Sequence, residues 1–258
     1  MHDSAGSDDA PVGRVLTRRE AIVLLGGAGA GGLLWLGGCS RAADTPTSKG
    51  SASTGASLGC AVKPELTEGP YYVDEGLTRA DIRADSKTGS VQEGALLALT
   101  FNVSRIASGV CSPLPGAVVD VWHCNALGVY SDARDPGFNT IGQDWLRGNL
   151  TTDTKGVAAF TTIFPGWYKG RAVHIHFKIR SPASATSAYE FTSQLFFDEN
   201  FVSDLYRTEP YSAKGSDGWL RNANDRIYNQ GGSELLLLPA SSAEGYAVTL
   251  DIGLDVDA

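Results

Sequence analysis

Residues 171–179 read Arg171-Ala172-Val173-His174-Ile175-His176-Phe177-Lys178-Ile179, shortly after the turn residues Pro165-Gly166-Trp167-Tyr168. Side chains of a strand alternate between its two faces, so this stretch predicts a strand of divided character. Ile175, Phe177 and Ile179 share one face, as residues turned to a core do. His174 and His176 share the other. Two imidazoles on one face of an apolar strand point to a metal, and a nearby tyrosine narrows which metal.

The flanking sequence carries the same period. Leu97, Leu99, Phe101 and Val103 alternate with Ala98, Thr100, Asn102 and Ser104, which predicts a half-buried strand. A turn-rich connection at 111–116 leads into a strand at 117–123. Thr152-Asp153-Thr154-Lys155-Gly156 reads as a hairpin turn before a strand at 157–163. Further strands are expected at 173–180, 193–197 and 246–252, with one short helix at 201–206. The segment 131–149, rich in Asp and Gly, reads as a long loop, and loops on a rigid scaffold are where sites are built. The expected fold is all-β: an antiparallel β-sandwich with long site-bearing loops and little helix.

The N-terminal residues read as processing signals. Arg18-Arg19 precedes an uncharged, Gly-rich apolar run at 21–36, and Gly37-Gly38-Cys39 closes it. A charged region, an apolar region and a small-residue exit make a secretory signal over 1–38. The pair of arginines predicts the twin-arginine route, and Cys39 is the expected lipidation site. The apolar run falls short of the ~20 residues that span a bilayer. Residues 39–58 are mostly Ser, Thr, Ala and Gly and read as a flexible tether. Residues 59–258 are left as one domain, long enough for a substantial core. The expected location is outside the cytoplasm, secreted or tethered at the cell surface.

The formal net charge is −8, and the first 38 residues hold three Arg against three Asp and one Glu, so the remainder stays near −7. With no basic patch, nucleic acid and anionic lipid are poor partners, and membrane contact is expected only through a lipid anchor. A homo-oligomer is compatible with this surface. Besides Cys39 the chain has Cys60, Cys111 and Cys124. Cys111 and Cys124 flank the strand at 117–123, which would separate them by roughly 20 Å, against about 7 Å between the Cα atoms of a disulfide. The pairing favoured by sequence is Cys60–Cys124.

Tyr130 follows the Trp122 strand, and Tyr168 precedes His174 and His176 by six and eight residues. Two phenols and two imidazoles suit Fe(III), a hard ion that favours anionic oxygen. Two tyrosinates and a hydroxide would balance its three charges, and neutral imidazoles would complete the site. Zinc and Fe(II) more often use His, Cys or carboxylate. Two other readings stand beside this one: an exported β-sandwich lipoprotein that binds without catalysis, and a zinc or copper enzyme using His123, His174 and His176. His123 on its own reads as a hydrogen-bonded structural residue.

The chain resembles the intradiol ring-cleavage dioxygenases, in a small exported form similar to the protocatechuate 3,4-dioxygenase β-subunit. The resemblance rests on Thr67-Glu68-Gly69-Pro70-Tyr71-Tyr72, Pro115-Gly116-Ala117, Val121-Trp122 and Gly128-Val129-Tyr130. It continues through Thr152-Asp153, Thr162-Ile163-Phe164-Pro165-Gly166-Trp167-Tyr168, Arg171 before His174-Ile175-His176-Phe177, and Gln194-Leu195-Phe196-Phe197. It implies a single non-haem Fe(III) held by Tyr130, Tyr168, His174 and His176, with Tyr168 as the departing, catalytic ligand. It implies further that Arg171 and Gln194 act beside the ring, and that Pro70, Tyr71 and Arg171 meet the substrate. The implied reaction is intradiol cleavage of a catechol-type diol by dioxygen to a muconate-type diacid. One departure is the connection from Tyr168 to His174, shorter than in members that cleave aromatic acids, which leaves the identity of the diol open.

Overall fold

The computed structural model describes residues 60–256. The expected signal, Cys39 and the tether lie outside the described residues. Twelve strands occur among the described residues, in chain order: β1 Leu96–Ala107, β2 Val110–Pro113, β3 Val118–Trp122, β4 Arg134–Asp135, β5 Phe138–Asn139, β6 Arg147–Thr151, β7 Val157–Ile163, β8 His174–Arg180, β9 Glu190–Phe197, β10 Leu236–Leu237, β11 Ala240–Ser241 and β12 Tyr246–Leu254. Two short helices follow β9: α1, Glu199–Leu205, and α2, Arg226–Asn229. The carboxylates of Asp198 and Asp225 accept the first free N–H groups of these helices, the usual way a helix start is closed.

One sheet runs β11-β12-β1-β2, with β7 also paired to β1; the other runs β10-β9-β8-β3-β6. The long strand β1 divides one edge between β7, over Leu96–Asn102, and β2, over Ser104–Ala107. The alternation read from sequence holds on both sheets. Leu97, Leu99, Phe101 and Val103 face Val119, Val121, Ile175, Phe177 and Ile179 in one buried cluster. Phe101 and Phe177 meet across it with ring centroids 5.2 Å apart. The all-β sandwich expected from sequence is therefore present, with little helix.

Three local expectations change. The ladder is mostly antiparallel, but β1 and β12 pair parallel, from Leu97↔Tyr246 to Arg105↔Leu254. The turn at 152–156 forms as expected: Asp153 Oδ1 accepts from the N–H of Lys155 and Val157, and Gly156 has φ 77°. It does not make a hairpin, because β6 and β7 belong to different sheets. A Cβ at position 156 would lie 2.2 Å from the Val103 carbonyl oxygen, so the turn crosses the sandwich where only glycine fits. The segment 131–149 contains the β4–β5 hairpin and the start of β6.

The expected Cys60–Cys124 bridge is incorrect. Cys60 pairs with Cys111, Cα atoms 6.0 Å apart, and Cys124 is a buried free thiol that donates to the Gly166 carbonyl. The N–H of Gly253 in β12 donates to the Ala61 carbonyl, which draws the first described residues to the end of the β12–β1–β2 ladder, where Cys111 pairs with Ile106. A non-reducing peptide map should join the Cys60 and Cys111 peptides. Cys111→Ser should lower unfolding free energy by about 4 kcal/mol in urea melts, as expected for a cross-link closing a loop of this length.

Candidate metal centre

The face of the β8 sheet turned away from the core carries a row of functional side chains. Register places Arg147 of β6 opposite Trp122 of β3, Trp122 opposite His176 of β8, and His176 opposite Gln194 of β9. The Trp122 indole stacks on the His176 imidazole, centroids 5.0 Å apart and planes 7° apart. His174, two residues before His176, turns its ring to the same place, and the two Nε2 atoms lie 3.0 Å apart.

Tyr130 and Tyr168 reach this row from two loops that touch backbone to backbone. The N–H of Gly166 donates to the Asn125 carbonyl, while Asn125 Oδ1 accepts from Leu127 and Val129 and shapes the turn before Tyr130. A Cβ at Gly128 would lie 2.0 Å from the Trp167 carbonyl oxygen, and one at Gly166 would lie 2.2 Å from that of Ala126. The chain therefore needs glycine at both positions to bring the phenols together. Beyond Tyr130 the backbone is clamped. Arg147 Nε and Nη2 donate to the hydroxyl and carbonyl of Ser131, and the Thr140 hydroxyl donates to the Tyr130 carbonyl.

The four predicted ligands converge. Tyr168 Oη is 3.2 Å from His174 Nε2, and the Tyr130 and Tyr168 rings are 5.6 Å apart. His174 Nδ1 lies 2.7 Å from the Ala172 carbonyl, which can only accept, so this nitrogen carries the proton and Nε2 offers a lone pair. Tyr130 Oη is buried with no hydrogen-bond partner, a cost of about 1–3 kcal/mol unless something meets it. Two imidazole donors each about 2.1 Å from one ion and at right angles would be about 3 Å apart, close to the spacing found here. Burial pushes the Tyr130 phenol well above its usual pKa, as does the Tyr168 phenol beside it. Burial also raises Tyr168, against the pull of Arg171. His174 is pushed down to about 3 by burial and by Arg171, and His176 is lowered by burial and by His174. Without a cation the cluster is thus neutral, two phenols and two free bases. A cation placed among the donors reverses the preference of the phenols. The donor set fits a hard, highly charged metal ion.

Arg171 and Gln194 also stand where sequence placed them. Arg171 Nη2 donates to Gln194 Oε1 at 2.6 Å, and Gln194 Nε2 donates to the Thr67 carbonyl, which fixes the amide. Sequence reasoning missed Asp225. It accepts from Arg171 Nε at 2.9 Å and from the Ala172 N–H at 2.7 Å, while capping α2 with its other oxygen. Burial pushes its carboxyl up, but Arg171 and the N–H donors outweigh this and hold it below the usual range. Only its place before a short helix was visible in sequence. Pro70 is exposed, next to Gly69, where a Cβ would come 3.1 Å from His176 Cε1. Tyr71 stacks on Tyr130 with centroids 4.4 Å apart. His123 stays out of the donor set: its Nδ1 meets the Cys124 carbonyl at 2.8 Å and its Nε2 the Thr162 hydroxyl at 2.7 Å.

A family model described as "Dioxygenase" matches residues 67–209, more than half of the chain and every one of the four donors. The chain belongs to the intradiol ring-cleavage dioxygenase family. An intradiol ring-cleavage dioxygenase from Tetranychus urticae superimposes with a TM-score of 0.66 at 26% identity, covering 77% of this chain and 97% of that one. The dioxygenase domain of a dioxygenase–carbohydrate-binding fusion from Streptomyces sp. SirexAA-E gives a TM-score of 0.53 at 27% identity, over 76% and 99%. Catechol 1,2-dioxygenase 2 of Acinetobacter lwoffii is 28% identical over 180 residues, 60% of this chain and 57% of that protein. The chain thus spans little more than half the length of such curated relatives. Their family's β-sandwich is the fold expected from the alternating strands.

His123 supplies a test that is separate from the donors. Burial holds its imidazole down at about 4, below the ordinary 6.5. A histidine depressed in the folded state contributes stability that is complete above pH 6.5 and is lost as pH falls towards 4. Urea melts at pH 7 and pH 4.5 should show His123→Gln losing less stability on acidification than the parent, a difference of about 2 kcal/mol.

Proposed function

We propose that this chain is a non-haem Fe(III) enzyme that opens a catechol-type aromatic diol between its two hydroxylated carbons with dioxygen, giving a muconate-type diacid. The observation that carries the reading is the convergence of Tyr130, Tyr168, His174 and His176 in one buried cluster, with His174 Nε2 left free to bind and Tyr130 Oη unpartnered. Catechol 1,2-dioxygenases among the relatives support it. When bound, a ferric ion would supply Lewis acidity toward the diol oxygens and the electron exchange that dioxygen chemistry needs.

The protein's own groups have separable tasks. His174 and His176 hold their places through the β8 ladder and the Trp122 stack, so they are the rigid pair. Tyr168 sits on the loop before β8 and is only partly buried, so it is the phenol placed to swing away and take a proton from the incoming diol. Tyr130, fully buried beneath Tyr71, stays. Arg171 brings a fixed positive charge beside the histidines to meet negative charge developing on the ring, and Asp225 and Gln194 keep it from rotating. Work outside the cytoplasm, after twin-arginine export and lipidation at Cys39, is part of this proposal.

The purified protein should be red-brown, from tyrosinate-to-iron charge transfer, with about one iron per chain by elemental analysis. Catechol added without oxygen should shift the visible band. His176→Ala should lose most of the iron and activity together. Tyr168→Phe should keep much of the iron and slow catechol binding at least tenfold in stopped-flow measurements. A colourless protein carrying one zinc per chain would sink the proposal, as would an extradiol product.

A further inference from the structure

Beside Tyr130 the site carries a carboxylate that the family resemblance did not include. Tyr71 lies flat on Tyr130, planes 19° apart, and meets Tyr168 edge-on with centroids 6.2 Å apart. It therefore borders the phenol that must move and the one that stays. Its hydroxyl is not available to a substrate. It donates at 2.9 Å to Oδ2 of Asp135, in the two-stranded β4–β5 hairpin. Burial and Asp135 push the Tyr71 phenol up to about 12, so at neutral pH it is a neutral donor to the carboxylate. Asp135 is itself half-buried, whereas its neighbour Arg134 is exposed, and alternation along β4 turns Arg134 to the other side. Two fixed cations of the site are already engaged, Arg171 by Asp225 and Gln194 and Arg147 by the hydroxyl and carbonyl of Ser131.

We infer that Asp135, held by Tyr71, sets the charge preference of the site: it favours catechols whose ring substituent is uncharged or cationic and disfavours those carrying a carboxylate. The inference rests on the catechol-cleaving reading above and adds the substrate class to it. The physical basis is Coulombic. A ring bound between Tyr71, Tyr168 and the histidines would hold its substituents within several ångströms of the Asp135 carboxylate, in a partly buried wall where screening is weak. Like-charge repulsion at that range is worth roughly tenfold in affinity. The site would also discriminate by an unfavourable contact rather than by an added attraction.

The test compares catechol, protocatechuate and the protonated amine dopamine on the iron-loaded full-length protein and its Asp135→Asn variant. Asn keeps an acceptor for Tyr71 and removes the charge. The parent should show a kcat/KM for protocatechuate at least tenfold below that for catechol. In the variant the protocatechuate-to-catechol ratio should rise roughly tenfold and the dopamine-to-catechol ratio should fall. Anaerobic dissociation constants, measured by titration, should move in the same directions without turnover. Should Asp135→Asn not fold, the parent alone decides: 3,4-dihydroxybenzamide, close in shape to protocatechuate but uncharged, should show a kcat/KM at least tenfold above that of protocatechuate. Equal ratios in parent and variant, an amide cleaved no better than protocatechuate, or a parent that prefers protocatechuate would each overturn the assignment of Asp135 while leaving catechol cleavage intact. A protein that binds and opens none of the three diols would overturn the functional reading itself, and Asp135 with it.

Discussion

A single strand at the middle of its sheet has to satisfy two environments, and the rest of the molecule is arranged around that constraint. β8 is hydrogen-bonded on both sides, to β3 and β9, so it cannot twist or slip to relieve a misplaced side chain. A shift of one residue would put His174 and His176 into the apolar core and Ile175 and Phe177 into the polar cluster. The same ladder fixes Trp122 and Gln194 beside His176. The donor set is therefore precise because it is tied to backbone hydrogen bonds, and only the two tyrosines arrive on loops. Those loops are in turn locked together at Gly128 and Gly166, where no larger residue fits.

Electrostatics in the cluster follow from its dryness. With phenols pushed up and imidazoles pushed down, the isolated protein holds the four donors uncharged, which limits the cost of burying them together. A highly charged cation changes the sign of that balance for the phenols and needs no protonation change at the free-base nitrogens. Around this neutral centre lie two separate acid–base pairs. Asp225 neutralises Arg171 on the β8 side. Asp135 accepts the hydroxyl of Tyr71, the ring stacked on Tyr130.

Much of the site was legible because it is written in local periods and short spacings. The alternation around His174 and His176, the Tyr168 loop two turns upstream, and the Asp153–Gly156 turn all appear in the structure where the residues suggested. What local pattern could not provide was the partner of each element. The Gly156 turn joins strands of different sheets, because a turn motif specifies a reversal and not which ladder receives it. Strand β12 runs parallel to β1, a direction that composition does not encode. Strand β3 keeps Cys111 and Cys124 apart and leaves Cys60 two candidate partners, and the hydrogen bond from Gly253 to Ala61 draws it to Cys111.

By itself the sequence determined the all-β class and the two-faced strand with its pair of histidines, since each depends on residue type and a period of two, and it placed Tyr130, Tyr168, Arg171 and Gln194 beside that pair only through motifs that resemble a known family. Tertiary structure alone decided the Cys60–Cys111 bridge, the Asp225 carboxylate under Arg171, and the Tyr71–Asp135 contact over Tyr130. These join residues 51, 54 and 64 positions apart, on separate segments whose meeting depends on how the sheets and loops pack. No local pattern reports such meetings, because their stabilisation is gained only once the sandwich has formed.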